Sequence, residues 1–481
     1  MPDGEVAIGV AHDLIGRNVA ARGDAVAVVD DTGWWTVAEL WEAGGRAADG
    51  LEALGVRAGD RVGVALPDGR EAAAALVGAM RIGAIAVPLD PGWSREATAA
   101  VVDDCEPAVV VDRPGTLDRG VPRPVSPVRA SGRRGDDPAL IVSTSGSTGR
   151  PKGVVHTRAG LAPEGPNWLR DGLGAGPGDR VLAVARTATA LGCFIGLLRP
   201  LGSGAAAVLT ARRPTPRGTL ELVARTGVTV LAAVPMHWAQ IAAALRHSPG
   251  LADNLAGLRA AVSSGDRLPA GLRAELARHG VRLIDALGAS ECGDVYLWGD
   301  GDDVLDRVAP GVDVRLDGGA EGRILVRTPR AAAGYWRRPG LTARLRDGGW
   351  TRTEDVAARD AAGGGLRLLG RADDLFKVGG RLVSPAEIEG ALADHPMVAE
   401  AAVVGRAHRG GRIRPAAFVV PAPTAVTGGR GDGVLARELR RHVSRRLTPA
   451  LAPARVDVLD ALPRLAGGKL DRRALAAAAA A

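Results

Sequence analysis

The sequence predicts an α/β protein: a large N-terminal domain of parallel-type sheets with helices plus a small β unit, followed by a small C-terminal α+β domain. Three observations carry this expectation. Short apolar runs alternate with helical stretches over residues 24–111 and again over 140–287, the texture changes to short strands and turns after Val304, and it changes once more after Arg371. At 481 residues the chain also exceeds the size at which a single hydrophobic core keeps growing, so two or more domains are expected.

The first alternation sets the runs AVAVVD, RVGVAL, AIAVPL and AVVVD against helical periodicity at 36–54 and 70–82, the pattern of βαβ units feeding a parallel sheet. Residues 113–137, rich in Pro, Arg and Gly, read as a surface loop. Strands are expected at 139–142 and 154–155, then the short runs VDVRL, GRILVR and GLRLLG. Ser384-Pro-Ala-Glu387 reads as a capping box with proline at the first helical position, opening a helix that runs to about Ala393. Strands VAEAAVVG and RIRPAAFVVP, a Gly-rich loop at 427–433 and a helix near 435–447 follow. The terminal LAAAAAAA is low in complexity and is given no role.

A net charge of +7 permits an anionic partner, yet 61 basic residues are interspersed with 54 acidic ones, which favours a nucleotide or phosphate ligand over nucleic acid. Cys105, Cys193 and Cys292 show neither metal nor redox spacing, as expected of reduced thiols. No apolar run approaches the ~18 residues of a membrane span, and the amino end carries no charged-then-apolar leader. A cytoplasmic protein without a membrane partner, monomer or homodimer, is expected.

The strongest chemical signal is Thr144-Ser-Gly-Ser-Thr-Gly-Arg-Pro-Lys-Gly-Val154, set between two apolar strands. Hydroxyls and glycines in a tight loop present O–H and backbone N–H groups to phosphate oxygens, and Lys152 adds a charge. The loop is not of the Walker type, because its lysine is flanked by proline and glycine instead of leading into a helix. Lysine itself is informative. Only Lys152, Lys377 and Lys469 occur, so 58 of the 61 basic residues are arginine. A bias that replaced lysine almost everywhere left it inside three motifs, where a compact ammonium fits and a planar guanidinium does not.

From Thr36 to Leu475 the chain resembles the adenylate-forming superfamily of acyl-CoA synthetases, luciferases and peptide-synthetase adenylation domains. The phosphate loop is one match; MRIGAIAVPLD (80–90) is similar to a structural segment of that superfamily. Gly288-Ala-Ser-Glu291 is similar to G-x-[ST]-E, Gly349-Trp-Thr-Arg-Thr-Glu-Asp355 to G-W-x-x-T-G-D, residues 370–389 to G-R-x-D-D-x-x-K-x-x-G-x-x-V-x-P-x-E-[IV]-E, and Pro463 to Lys469 to P-x-x-x-x-G-K. Glu354 stands where the superfamily usually has glycine.

The resemblance implies ATP, Mg²⁺ and coenzyme A, or a carrier-protein pantetheine, as cofactors. It implies that Thr144, Ser145, Gly146, Ser147, Thr148, Gly149 and Lys152 hold phosphates, and that Glu291 binds the metal. Gly265, Asp266, Arg267, Leu287, Gly288 and Ser290 would surround the nucleotide, Asp355 its ribose, and Arg371 would contact it. Lys469 is implied as the catalytic lysine, on a mobile C-terminal domain. Asp373 is implied as the hinge between residues 1–372 and 373–481, and Lys377, Gly379 and Gly380 as the thiol tunnel. The implied reaction adenylates a carboxylic acid, releases pyrophosphate and passes the acyl group to a thiol.

For the acid, α-amino-acid activators place an aspartate in the segment corresponding to 185–195, and ARTATALGCFI has none. KVGGRLVSP, SSGDRLP and Leu287 look closest to benzoate-type aryl-CoA ligases. Ala188, Ala190, Leu191, Met236, His237, Trp238, Ala286, Gly288 and Asp294 are the candidate pocket residues, with His237 more readily a core or rim histidine. Asp294 stands where benzoate-type relatives often carry histidine; a buried carboxylate there needs a partner, which a ring hydroxyl or amino group could supply. An acyl carrier protein as thiol donor, and a binding module without catalysis, are the competing readings.

Overall fold

A computed structural model describes residues 10–117, 135–144, 151–269, 271–301, 304–361, 363–408, 412–422, 432–464 and 470–480. Contacts divide the chain into two compact units, residues 1–315 with 325–353, and residues 316–324 with 354–481.

The first unit holds two large sheets. Strands Arg61–Val64, Ile85–Pro88 and Val109–Val111 lie parallel in a six-stranded sheet, as the alternation predicts. The opening strand Val26–Asp30 departs from that expectation. It joins the nine-stranded sheet instead, antiparallel to Gly33–Thr36 and parallel to Ala206–Val208. The two-residue turn after Asp30 explains this, because so short a link can only fold the chain back on itself as a hairpin.

Helices Val37–Ala53 and Arg70–Arg81 match the sequence periodicity to within a residue. Thr36 caps the first one, its side chain accepting from Glu39 N while the Glu39 carboxylate accepts from Thr36 N. The two helices pack closely through glycines. A Cβ on Gly44 would fall 2.5 Å from Val77 Cγ1, and one on Gly78 would fall 2.7 Å from Ala47 Cβ. One core cluster joins Leu40, Leu51 and Leu76 of these helices with Val28 and Ala207 of the larger sheet and Val62, Ala86 and Leu140 of the smaller.

The larger sheet continues through the parallel strands Arg180–Ala183, Val230–Ala233, Ala260–Ser264 and Leu283–Ala289, then turns antiparallel at Asp294–Gly299. That reversal, one tight turn long, carries Glu291.

In the second unit, strands Val398–Ala407 and Ile413–Pro421 pair antiparallel, and Arg455–Val458 adds parallel to the latter. The side-chain period of two gives this sheet two apolar faces. Val403, Ala417 and Val419 face a core with Ile388, Leu392, Leu439 and Val443, whereas Ala402, Val404, Ala416 and Phe418 face Leu475 and Ala479. The alanine-rich end is therefore structural: helix Arg472–Ala480 covers one face of the sheet. The helix expected from Ser384 runs Pro385–Ala393, but no capping box forms. The Ser384 hydroxyl donates to the Leu369 carbonyl, and Glu387 accepts from Arg381 Nη2 at 2.8 Å. Asp373, implied as a hinge, stands on an exposed turn inside this unit, 20 residues past its boundary.

Candidate active site

In the first unit, strands Pro138–Thr144 and Lys152–Thr157 form an antiparallel hairpin with Thr144 opposite Lys152. The Thr144 hydroxyl donates to the Lys152 carbonyl at 3.4 Å, so the two ends of the phosphate-type loop are tied together. Ser145, Gly146, Ser147, Thr148 and Gly149 lie outside the described residues. Gly153 is there for packing, since a Cβ on it would sit 2.7 Å from Ile141 Cγ2.

A segment that sequence reasoning missed stitches this hairpin to Glu291. Gly334 and Tyr335 pair with Val155 and Val154, Trp336 N donates to the Gly153 carbonyl at 2.8 Å, and Arg338 Nη2 donates to the Pro151 carbonyl at 3.2 Å while also pairing with Asp104. Ala332 N, just upstream, donates to the Glu291 carbonyl at 2.9 Å, and the Tyr335 hydroxyl donates to Glu291 Oε1 at 2.7 Å. Lys152 Nζ lies 5.5 Å from the centre of the Tyr335 ring, within cation–π range. Lys152, paired with Thr144 at the ends of one motif, and Glu291 of another thus meet at Tyr335. A signal was available: the chain has two tyrosines, as scarce as its lysines.

Glu291 belongs to the 3₁₀ turn Ser290–Cys292 between the antiparallel strands. Gly293 closes that turn at φ +69°, where a Cβ would fall 2.8 Å from the Arg330 carbonyl. Leu287, Gly288 and Ser290 are half-buried along the approach. Gly265, at φ +93°, and Asp266 are exposed on the loop after Ala260–Ser264, and Arg267 N donates to Asp266 Oδ1 at 2.8 Å.

The acid-pocket candidates divide. Ala188 is buried, and Ala190 and Leu191 are half-buried at the start of the helical segment Leu191–Leu198. Their backbone is anchored by buried Asp68, which accepts from Thr187 N at 3.2 Å and Thr187 Oγ1 at 2.5 Å; burial pushes this carboxyl up. Met236 is half-buried and Ala286 is packed in the core. Trp238 is wholly buried, its indole N–H donating to the Val262 carbonyl at 2.8 Å, so it serves the core and not a pocket wall. His237 is a core histidine, as anticipated. Its Nε2 is 2.8 Å from Thr219 Oγ1, and burial, with a smaller contribution from Arg213, pushes it down to about 4.

Asp294 differs most from expectation. It is buried, and its partner comes from the chain itself: Arg199 Nε lies 3.0 Å from Asp294 Oδ2. Trp168 N and Val295 N also donate to its carboxylate at 3.4 and 2.8 Å, and Arg199 Nη2 donates to the Gly293 carbonyl at 2.6 Å. A ring substituent is not needed to satisfy this carboxylate. Around the pair, burial pushes Arg330 down to about 9 and His156, which also faces Arg199, down to about 3.

In the second unit, Asp355 and Arg371 face each other across paired strands with side chains 4.0 Å apart, Asp355 buried and Arg371 exposed. Glu354, the departure from the usual glycine, pairs with Arg323 at 3.0 Å. Lys377 is exposed on strand Phe376–Val378. Gly379 and Gly380 form the two-residue turn to Arg381–Val383 at φ +59° and +89°, values that suit a type I′ hairpin and favour glycine. Lys469 lies outside the described residues; Arg464 and Leu470, which flank its segment, bridge antiparallel.

No group of three His, Cys, Asp or Glu side chains able to hold a metal occurs among the described residues. Mg²⁺ keeps its waters and takes one or two carboxylates together with phosphate oxygens, so a single glutamate could serve it. Glu291 Oε2, with no hydrogen-bond partner among the described residues, is the available oxygen. No helix among them is long and apolar enough to cross a membrane.

Residues 15–336 match the family described as AMP-binding enzyme, and residues 387–469 match the AMP-binding enzyme C-terminal domain. Benzoate–CoA ligase of Thauera aromatica is 32% identical, covering 96% of this chain and 94% of that enzyme. A segment of CymA of Salinispora arenicola, a probable nonribosomal peptide synthetase, is 35% identical over 98% of this chain, which spans 6% of CymA. The crystal structure of a benzoate CoA ligase from Burkholderia xenovorans superposes with a TM-score of 0.85 at 27% identity, over 97% of this chain and 99% of that one.

Proposed function

The chain belongs to the AMP-binding enzyme family, and from that premise we propose that it adenylates an aryl carboxylic acid with ATP and transfers the acyl group to the thiol of coenzyme A. The observation that carries this reading is that Lys152, at one end of a loop rich in phosphate donors, and Glu291, on a separate turn, meet at the ring and the hydroxyl of Tyr335.

In the first half-reaction the acid's carboxylate oxygen bonds to the α-phosphorus of ATP, and the bond to the β-phosphate bridging oxygen breaks to release pyrophosphate. Such a displacement asks the protein for alignment and charge stabilisation. Residues 144–152 hold the departing phosphates, with Lys152 as their fixed charge. Glu291 would hold Mg²⁺, which would supply neutralisation of the phosphate charge. Asp355 accepts from the ribose hydroxyls, its two oxygens suiting two adjacent donors. Lys469 supplies a compact charge between the acid and the α-phosphate. In the second half-reaction the thiol sulfur attacks the acyl carbon and AMP leaves with the bonding pair. The Gly379–Gly380 tip, free of side chains beside Lys377, is the surface along which a slender pantetheine arm passes.

Small side chains at Ala188 and Ala190, with Asp294 neutralised by Arg199, favour an apolar ring over a charged substrate. Pyrophosphate exchange across benzoate, hydroxybenzoates, aminobenzoates, fatty acids and amino acids tests this; strongest exchange with an amino acid or a long-chain acid would sink it. The similarity to a CymA segment favours one second reading, an acyl carrier protein as the thiol donor. Comparing coenzyme A with a pantetheinylated carrier as acceptor of the same acyl group decides between them.

A further inference from the structure

We propose that Tyr335 is the positioning residue for Glu291, holding its carboxylate in the orientation that receives the metal–nucleotide complex. The inference rests on the reading of Glu291 given above. A glutamate side chain loses rotamer freedom when it is fixed. A hydrogen bond to a charged group is stronger than one between neutral partners and offsets that loss. The Tyr335 hydroxyl makes such a bond to Oε1 at 2.7 Å, leaving Oε2 as the liganding oxygen.

Tyr335 is itself held on three sides. Its backbone pairs with Val154, its N–H donates to Thr342 Oγ1 at 3.0 Å, and Lys152 Nζ lies 5.5 Å from its ring centre. The Glu291 main chain is tied to the same segment by Ala332 N at 2.9 Å. One short stretch, residues 332–338, therefore sets the register between the strand that carries Lys152 and the turn that carries Glu291. The aromatic ring alone would serve Lys152; only the hydroxyl serves Glu291.

The test is a double-mutant cycle of Tyr335→Phe and Glu291→Gln in the full chain. Binding of Mn²⁺ in the presence of ATP is followed by loss of the free-ion EPR signal, with thermal unfolding measured alongside. Tyr335→Phe is expected to weaken Mn²⁺ binding about tenfold at unchanged Tm, and to add nothing in the Glu291→Gln background. An unchanged affinity, or the same loss in both backgrounds, overturns the proposal.

The reading of Glu291 as metal ligand fails separately, if Glu291→Gln alone leaves Mn²⁺ affinity intact. In that case ATP affinity without metal is the quantity on which the cycle is read, and additivity there overturns the role of Tyr335. Difluorotyrosine at 335 keeps the shape of the side chain and lowers the phenol's pKa. Mn²⁺ affinity should then fall as the phenol ionises and can no longer donate; a pH profile identical to that of the natural chain overturns the proposal as well.

Discussion

The guanidinium of Arg199 lies 3.0 Å from the carboxylate of Asp294, with only 2% and 8% of the two side chains exposed. Arg199 stands directly after the segment of the acid-pocket candidates, and Asp294 three residues after Glu291. The pair therefore ties the end of the helical segment Leu191–Leu198 to the turn that carries Glu291, and Arg199 adds a bond to the Gly293 carbonyl. Breaking a buried pair by removing one partner strands the other charge, at a cost of about 3–5 kcal/mol.

Asp294→Leu should accordingly destabilise the first unit by several kcal/mol in urea unfolding, and Arg199→Met by a similar amount. The double substitution Arg199→Met with Asp294→Leu should lose less than the two single losses together, because no charge is left unpaired. Additive losses would mean that the two side chains contribute to folding independently.

Two buried histidines predict the acid limb of stability. His237 and His156 are pushed down to about 4 and about 3, mainly by burial, whereas the unfolded chain protonates histidine near 6.5. Between those values the unfolded state binds more protons, so stability is full above about pH 6.5 and declines as pH falls toward 4. The slope approaches about 1.4 kcal/mol per pH unit for each group. His237→Gln, which retains a partner for Thr219, should reduce the slope of urea-measured stability between pH 6 and 4.5. A slope equal to that of the natural chain would contradict the assignment.

Much of the fold was legible because it repeats one short-range rule, a period of 3.6 against a period of 2. Helices 37–53 and 70–81 and the strands at 61–64, 85–88 and 398–407 follow from it. What was not legible depends on partners distant in sequence. Val26–Asp30 goes to a different sheet from its neighbours because a two-residue turn folds it back, and Ser384 leaves its cap for the Leu369 carbonyl. Trp238 has a bulky aromatic's face for either a pocket or a core, and only the carbonyl of Val262 decides which. At the site, motif spacing picked Thr144, Lys152 and Glu291, but Tyr335 carries no motif of its own and shows its place only through strand pairing.

The hairpin at Gly379 and Gly380 is a place at which the two proposed half-reactions can be told apart. Both residues are exposed with positive φ, and no atom lies within 4 Å of an added Cβ at either one. Gly380→Ala therefore costs strain at φ +89° without a clash, about 1 kcal/mol. If this tip guides pantetheine, the larger Gly380→Leu should slow thioester formation from supplied acyl-adenylate several-fold and leave pyrophosphate exchange unchanged. Equal slowing of both steps would place the effect in folding instead.

Lys469 supplies the sharpest separation. In a chain with 58 arginines and three lysines, Lys469→Arg is the change that its own composition favours, and it keeps the charge. A guanidinium is broad, planar and weakly hydrated, while an ammonium is a compact charge on a thin stem. If the residue must reach between an acid carboxylate and an α-phosphate, charge alone is not sufficient. Lys469→Arg should then lose pyrophosphate exchange by about 100-fold or more, a change of at least ~2.7 kcal/mol in the barrier. Lys469→Ala should abolish exchange, and both variants should still form thioester from supplied acyl-adenylate. Exchange retained in Lys469→Arg would show that this position needs only a positive charge, and would remove the reason for a lysine here.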